Sequence, residues 1–399
     1  MSLSARTLAA CSLWIPAMLF ACSGDDEPVD PCDGETDWSV VVGADEEELQ
    51  REDLGNVNLS DTGGYVDLTV DVPSGAVSTA VHCGFDEDAL GAVWALTDPD
   101  GTVVYDGQAA FDGDFDAYAY RSDFTDARST ALIPISKDVP LASGSWDVQF
   151  FLGAGNGGKA SCEAVHRIDE AGTEATVFVN LVFVGPEGLD ACGASTDDGF
   201  QSALEQFESE WASAGLTPVY NYLDFQGDKG KYGVIEIDEG DYSEFNDLLR
   251  TAAPANARTV TFFFVEEIVD LASGGTTVLG LSAGPPGVPA TNGTSKSGLV
   301  ISAVDFDSAP TDIGKIMAHE GGHFLGLFHT TEKDGSRHDI LGDTPECPPS
   351  ADANDGGSLS VSECAGKGGE NAMFWTLTEG KATFSNDQGW VLRRNPAVD

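Results

Sequence analysis

The amino-acid sequence predicts an all-β sandwich domain followed by a domain of mixed α and β structure. Between residues 39 and 172, short segments of alternating polarity are separated by turn sequences such as Asp98-Pro-Asp-Gly101, with no helical period between them. From residue 173 onward, continuous apolar strands alternate with segments of helical spacing, which is typical of an α/β sheet. The 399 residues are enough for two such domains and a leader.

The individual elements follow from the same patterns. In the first domain, strands are predicted over residues 65–72, 92–97, 102–105, 131–135 and 146–152. In the second domain, strands are predicted over residues 176–184, 219–225, 232–237, 258–265 and 298–303, and helices over 195–213 and 242–252. The longer helix carries an apolar stripe formed by Phe200, Leu204, Phe207 and Trp211.

The charge balance is strongly acidic, with 67 Asp and Glu residues against 19 Lys and Arg residues and a formal net charge of -48. A surface of this charge repels phosphate backbones, so nucleic acid is excluded as a partner. Two explanations of the acidic excess stay open. One is a solvated acidic surface, and the other is that some of the carboxylates bind Ca²⁺.

The N-terminus has the pattern of an export signal over residues 1–22. Arg6 precedes an apolar run from Leu8 to Ala21, which is too short to span a bilayer as a mature helix. The run ends in Cys22 and resembles a bacterial lipobox, which implies that Cys22 carries a lipid; ordinary cleavage near Ala21 is the alternative. Residues 23–38 are rich in Asp, Glu, Pro and Gly and predict a flexible tether. We therefore expect an exported protein, anchored through this lipid to the membrane of the bacterial envelope (outer membrane or surface) or secreted.

Six cysteines remain after the leader, and an even number in an exported protein predicts disulfide bonds. Six cysteines allow 15 pairings in total. Proximity in the chain favours Cys347 with Cys364, and shared location in the first domain favours Cys83 with Cys162. Cys32 with Cys192 then follows by elimination.

Three of the six histidines fall within thirteen residues, at positions 319, 323 and 329. His319 and His323 are four residues apart, so on a helix their rings share one face and can bind the same Zn²⁺. Glu320 follows the first ligand and can reach water beside the metal without binding the metal itself. Gly326 can end the helix in a left-handed conformation, so that the chain turns and His329 returns as the third ligand.

The segment from His319 to His329 resembles the zinc signature of the metzincin peptidases, and the sequence Gly-Leu-Phe-His-Thr is similar to that of their pappalysin group. The resemblance implies a metzincin-like catalytic domain over residues 173–399, with a twisted mixed sheet, a zinc helix and a Met-turn. Met373 is the candidate for that turn, although an ordinary core residue is the alternative. Trp375 stands where many relatives have a Tyr, and Gly321 weakens the helix by about 1 kcal/mol relative to Ala.

Two further features follow from the resemblance. Residues 276–287 resemble the edge strand and loop that line a metzincin cleft, where an extended peptide can bind; a plain edge strand is the alternative. The acidic segment after the zinc helix lies where relatives bind structural Ca²⁺, with Asp339 and Asp343 as candidate ligands; a solvated loop is the alternative.

The resemblance implies a zinc-dependent endopeptidase that cleaves extracellular proteins or peptides, with Glu320 as the general base. A cell-surface binding lipoprotein with an inactive peptidase domain is the alternative from another class. A third interpretation is a latent enzyme, in which the thiolate of Cys83 or Cys192, each followed by glycine, blocks the zinc. The first domain over residues 39–172 is then either a pro-segment or a binding module.

Overall fold

The computed structural model is mostly β-sheet with a few helices. It describes residues 30–34, 36–58, 64–85, 89–113, 118–153, 158–169, 171–185, 188–238, 240–252, 258–304, 306, 308–353, 356–378 and 380–399. The predicted signal segment and Cys22 lie outside these described residues.

Within the described part of the first half, nine strands form two antiparallel sheets. They are β1 (Leu49–Asn58), β2 (Gly64–Val72), β3 (Ser78–Gly84), β4 (Leu90–Thr97), β5 (Val103–Asp106), β6 (Thr125–Asp126), β7 (Arg128–Ile133), β8 (Gly144–Leu152) and β9 (Lys159–Arg167), with a short helix α1 (Gly107–Phe111). One sheet has the order β1-β9-β3-β7, and the other has the order β2-β8-β4-β5 with β6 paired to β4. Side chains from both sheets form one buried cluster, so the sheets pack face to face as a sandwich.

The strands that the sequence predicts in this half all occur, and two of those it missed, β1 and β3, lack the alternating pattern. On β2, Val66, Leu68 and Val70 are buried between exposed neighbours, which is the period-two pattern of a half-buried strand. In contrast, β3 is buried along nearly its whole length, and β1 is a largely polar edge strand with an irregularity between Asp53 and Gly55. A strand without alternation carries no such signal.

The second half combines two sheets with most of the helices. Its described strands are β10 (Ala175–Phe183), β11 (Leu216–Asp224), β12 (Val234–Ile237), β13 (Val260–Val265), β14 (Glu267–Asp270), β15 (Thr276–Val278), β16 (Gly280–Ser282) and β17 (Leu299–Ser302). Its described helices are α2 (Ala191–Thr196), α3 (Asp198–Ser213), α4 (Lys229–Tyr232), α5 (Ser243–Leu249), α6 (Pro310–Phe324) and α7 (Asn386–Leu392). The main sheet has the order β11-β10-β13-β17-β16, in which only the edge strand β16 is antiparallel to its neighbour; β12, β14 and β15 form a smaller sheet.

Three predicted elements differ from the structure. The helix predicted over 195–213 is two helices, because Asp197 ends α2 and accepts a hydrogen bond from Phe200 N–H at the start of α3. The strand predicted over 232–237 begins only at Val234, because the preceding residues form the single turn α4. Residues 276–287, predicted as an edge strand and a following loop, contain two three-residue strands in different sheets.

The described residues between 30 and 44 lie against the second half of the chain. Cys32 forms a disulfide bond with Cys192 of α2. The Thr36 hydroxyl donates to the Asp224 carboxylate over 2.7 Å, and a short 3-10 helix (Trp38–Val40) packs on the second-half core. The end of the predicted tether is therefore held at three points, while the domain limits drawn from the sequence stay a prediction.

Helices α3 and α6 pack closely because α6 carries glycine on the shared face. A Cβ atom at Gly314 would overlap the backbone oxygen of Ala203, and one at Gly321 would lie 2.6 Å from Cζ2 of Trp211. Trp211 is fully buried and its indole N–H points to the Ala318 carbonyl at 3.4 Å. The lower helix propensity of Gly321 is thus offset by the contact that it permits.

Replacement of Gly321 by alanine is therefore expected to destabilise the protein, although alanine is the better helix former. We expect the free energy of unfolding, measured by chemical denaturation, to fall by about 1–3 kcal/mol because the ring of Trp211 must shift. Gly342→Ala is the control, because nothing lies within 4 Å of a Cβ atom there. A Gly321→Ala variant as stable as the parent would show that the helices have room to separate.

Candidate metal centre

The helix α6 presents His319 and His323 one turn apart on the same face, both partly exposed. The helix ends at Phe324, and Gly326 has a positive φ of +112°, which a residue with a side chain rarely adopts. Leu327 N–H then donates to the Gly322 carbonyl over 2.9 Å and closes the helix end. The chain therefore turns back as predicted and places His329 opposite the two helical histidines.

The three imidazole rings meet through their Nε2 atoms. The Nε2 atom of His323 lies 3.1 Å from those of His319 and His329, and the latter two are 3.2 Å apart. Within the described residues, this is the only group of three or more His, Cys, Asp or Glu side chains arranged to hold one metal ion. The three residues that the sequence selects as ligands are thus brought to one point.

The opposite ring nitrogen of each histidine is held by an acceptor. The Nδ1 atom of His319 lies 2.8 Å from the Ala372 carbonyl, and that of His323 lies 2.7 Å from the Leu327 carbonyl. The Nδ1 atom of His329 lies 2.8 Å from a carboxylate oxygen of Glu332. Carbonyl and carboxylate oxygens only accept, so each Nδ1 carries a proton, and a ring that binds a metal in this arrangement turns its Nε2 lone pair toward the other two.

Three converging lone pairs repel one another unless a cation lies between them. Ligand nitrogens at about 2.0–2.1 Å from one ion and at tetrahedral angles are about 3.3–3.4 Å apart, close to the observed spacing. Burial, followed by the neighbouring His329, lowers the pKa of His319 to about 3. Burial and the other two histidines also hold the pKa of His323 well below its usual value, so both rings are neutral at pH 7, as metal ligands must be.

Glu320 lies between α6 and the edge strand β16. Its carboxylate accepts a hydrogen bond from the backbone N–H of Ser282, and burial raises its pKa to about 8. The sequence did not single out Gly280, yet a Cβ atom there would lie 2.7 Å from Cγ of Glu320. The absence of a side chain at Gly280 therefore gives the carboxylate its place next to the edge strand.

Met373 lies beneath the histidines. It is fully buried, and a Cβ atom at Gly322 would lie 2.5 Å from its sulfur, so the turn touches α6 between the two helical histidines. The turn is closed by Phe374 N–H donating to the Asn371 carbonyl over 3.1 Å. Trp375 points elsewhere, with its indole N–H donating to the Leu359 carbonyl over 2.8 Å.

Glu332 is a site residue that sequence reasoning missed. Burial raises its pKa, but the hydrogen bond and charge of His329 and of Arg121 outweigh burial and lower the pKa to about 2. The carboxylate is therefore ionised at neutral pH. Its only signal in the sequence is an acidic residue three positions after the last histidine of the motif.

The six cysteines form three disulfide bonds, in the pairs that the sequence favours: Cys32–Cys192, Cys83–Cys162 and Cys347–Cys364. Cys83 and Cys162 are directly opposite on β3 and β9. The interpretation of a latent enzyme blocked by Cys83 or Cys192 is wrong for this structure, because both sulfurs are already bonded and neither is a free thiolate.

The two candidate calcium ligands differ in their surroundings. Asp339 is half-buried, and this burial raises its pKa to about 7, while one of its oxygens accepts from Leu341 N–H and the Thr344 hydroxyl. Asp343 instead accepts from the Ser385 hydroxyl at 2.7 Å and Asp387 N–H at 3.0 Å at the start of α7. The structure does not bring them into a ligand cluster, and calcium binding stays a prediction.

No family model and no curated protein matches the chain. Among solved structures, it is similar to TmCBM61 in complex with beta-1,4-galactotriose, at 13% identity over 33% of this chain and 91% of that chain, with a TM-score of 0.18. It is also similar to a structure of infectious bursal disease virus Gx strain, at 14% identity over 30% of this chain and 31% of that chain, with a TM-score of 0.18. At these TM-scores the similarities carry no argument.

The three disulfide bonds are compatible with an extracellular protein. In the described part of the chain, no helix combines the length and apolar character needed to cross a membrane.

Proposed function

We propose that this protein is a zinc-dependent endopeptidase of the metzincin type, similar to the pappalysin group. The observation that carries the proposal is the convergence of three Nε2 lone pairs, each fixed by an acceptor on the far side of its ring, beside a glutamate on the same helix. A histidine with a purely structural role has no reason to face two others in this way. The turn that carries Met373 beneath the histidines and the antiparallel edge strand β16 support the same class.

Each residue of the centre has a separate role in hydrolysis. His319, His323 and His329 would hold the ion, and the described residues offer no fourth protein ligand, as in catalytic zinc sites. Zinc, when bound, supplies a Lewis acid that activates water and polarises the scissile carbonyl. Glu320, whose raised pKa would fall beside a bound cation, takes a proton from the attacking water and returns it to the leaving amine, so that one water is consumed for each peptide bond broken.

The substrate class follows from the strand beside Glu320. The strand β16 ends the main sheet and is paired only with β17 among the described strands. A strand of this kind can accept an extended peptide through backbone hydrogen bonds, which favours proteins or peptides as substrates. We also propose export, with anchoring through a lipid on Cys22 or secretion after cleavage of the signal segment.

Removal and return of the metal test the proposal. The chain from residue 23 onward should cleave casein, lose this activity after dialysis against a zinc chelator, and regain it on addition of about one equivalent of Zn²⁺. Calcium at the same concentration is the matched control and should not restore cleavage, because it prefers oxygen ligands. Cleavage that persists in the chelated protein would exclude a zinc peptidase.

An exposed aromatic cluster on the sandwich favours a second candidate function, the surface binding lipoprotein. Tyr65 is 50% exposed on β2, and its ring centre lies 5.9 Å from that of Trp94 and 5.7 Å from that of Phe151. Clusters of exposed aromatic side chains often mark binding surfaces. A protein that holds zinc but cleaves neither casein nor peptides would favour this function over the peptidase.

A further inference from the structure

The residue before the third metal-site histidine is buried in the sandwich. Phe328 is only 4% exposed, and it belongs to the hydrophobic cluster formed by the two sandwich sheets rather than to the core of the second half. The sandwich also touches the preceding turn, because a Cβ atom at Gly326 would lie 2.7 Å from Leu132 of β7. The turn that returns His329 to the site is therefore packed against the first half of the chain.

A buried arginine of the sandwich lies over the same turn. The guanidinium of Arg121 is 4.4 Å above the ring of Phe328, and the side chain is 7% exposed. Its Nη2 atom donates to Oε1 of Glu332 over 2.7 Å and to Asp123 over 2.9 Å. Its Nη1 atom donates to the His338 carbonyl over 3.0 Å, so the planar group is held on both sides.

Glu332 joins this arginine to the metal site. Its Oε1 atom accepts from Arg121, while its Oε2 atom accepts from Nδ1 of His329 at 2.8 Å. Because the two contacts use different oxygens, they exist at the same time. A continuous path of charged hydrogen bonds therefore runs from the sandwich to the ring of the third histidine.

We propose that the β-sandwich is a permanent part of the metal centre and that Arg121 is the positioning residue through which it fixes Glu332 and thereby the ring of His329. The inference rests on the proposed function and adds to it. It also assigns the sandwich a role opposite to that of a releasable pro-segment, since its separation would expose Phe328 and leave Glu332 without its cation.

Loss of Arg121 would weaken zinc binding by releasing the His329 ring from its orientation. Without the guanidinium, Glu332 is free to turn toward solvent, and Nδ1 of His329 loses the acceptor that orients its ring. Partners of this kind behind a metal ligand typically contribute about 10–100-fold to metal affinity. Because Arg121 acts one residue further away than Glu332, we expect its contribution at the lower end of that range.

The test compares zinc affinity in the full chain, measured by competition with a chromophoric chelator. Arg121→Gln should bind Zn²⁺ about 10-fold more weakly than the parent, and Glu332→Gln about 10–100-fold more weakly. In the double variant, the loss should not exceed that of Glu332→Gln alone, because both changes break the same path. Lys137→Gln is the matched control: Lys137 also pairs across the two halves, with Asp387, but does not contact the metal site.

The outcomes separate this inference from the proposed function. A folded parent that binds no zinc contradicts the peptidase itself. If the parent binds zinc and the Arg121→Gln variant binds it with equal affinity, the role of Arg121 is overturned while the proposed function stands. The same holds if the losses of zinc affinity simply add in the double variant. If Arg121→Gln does not fold, Arg121→Lys decides, because lysine keeps the charge but cannot bridge Glu332, Asp123 and the His338 carbonyl at once. Its zinc affinity should then fall about threefold or more, and unchanged affinity overturns the inference.

Discussion

Replacement of Glu320 by alanine is expected to lower kcat for peptide hydrolysis by about 10²–10⁴-fold while leaving one zinc per chain. The carboxylate lies beside β16 and accepts from Ser282 N–H, but it is not one of the three groups that converge on the metal position. Its removal therefore takes away proton transfer without taking away a ligand. The measurement is kcat on a fluorogenic peptide together with zinc content by elemental analysis.

Glu346→Ala is the control for this change. Glu346 is a glutamate of the same region, but its side chain is 70% exposed. The Glu346→Ala variant should keep both the kcat and the zinc content of the parent. A Glu320→Ala variant that loses its zinc would make Glu320 a ligand, and one that keeps its activity would remove it from the mechanism.

Replacement of His323 by alanine is expected to have the largest effect on the metal. With one of the three protein ligands removed, the two remaining histidines bind zinc too weakly to retain it. We expect the zinc content to fall from about one to below about 0.1 per chain, with loss of hydrolysis. Elemental analysis after gel filtration in metal-free buffer measures the content. The fold should survive, because alanine is a good helix former and α6 keeps its close packing against α3 at Gly314 and Gly321.

The matched control is His338→Ala. His338 lies nine residues after His329, but its Nε2 atom contacts the Cys347 carbonyl at 3.2 Å rather than the other three histidines. The variant should keep zinc and activity. Equal loss of zinc in both variants would mean that the metal is bound by general histidine content and not by the triad.

The sequence was sufficient where local spacing decides the structure. His319 and His323 share a helix face because they are four residues apart, and Gly326 turns the chain because glycine accepts a positive φ. Both arrangements are present in the structure. Pairing of the cysteines was harder to derive, since nothing local relates Cys32 to Cys192 across 160 residues.

The remaining parts of the site depend on contacts between distant segments. Arg121 reaches Glu332 across 211 residues, and Gly280 makes room for Glu320 only after β16 is placed beside α6. A single sequence contains no signal for such pairs, because any charged or small residue at those positions fits the local pattern equally well. For the same reason the polar edge strand β1 could not be predicted, because its position depends on pairing with β9 rather than on alternating polarity in its own sequence.

X-ray absorption at the zinc edge of the purified protein tests the central claim most directly, because it reports the atoms around the metal without relying on activity. The proposal predicts about three nitrogen ligands and one or two oxygen ligands at about 2.0–2.1 Å, with imidazole scattering and no sulfur at about 2.3 Å. Zinc bound through sulfur, or a folded protein that contains no zinc, would contradict it.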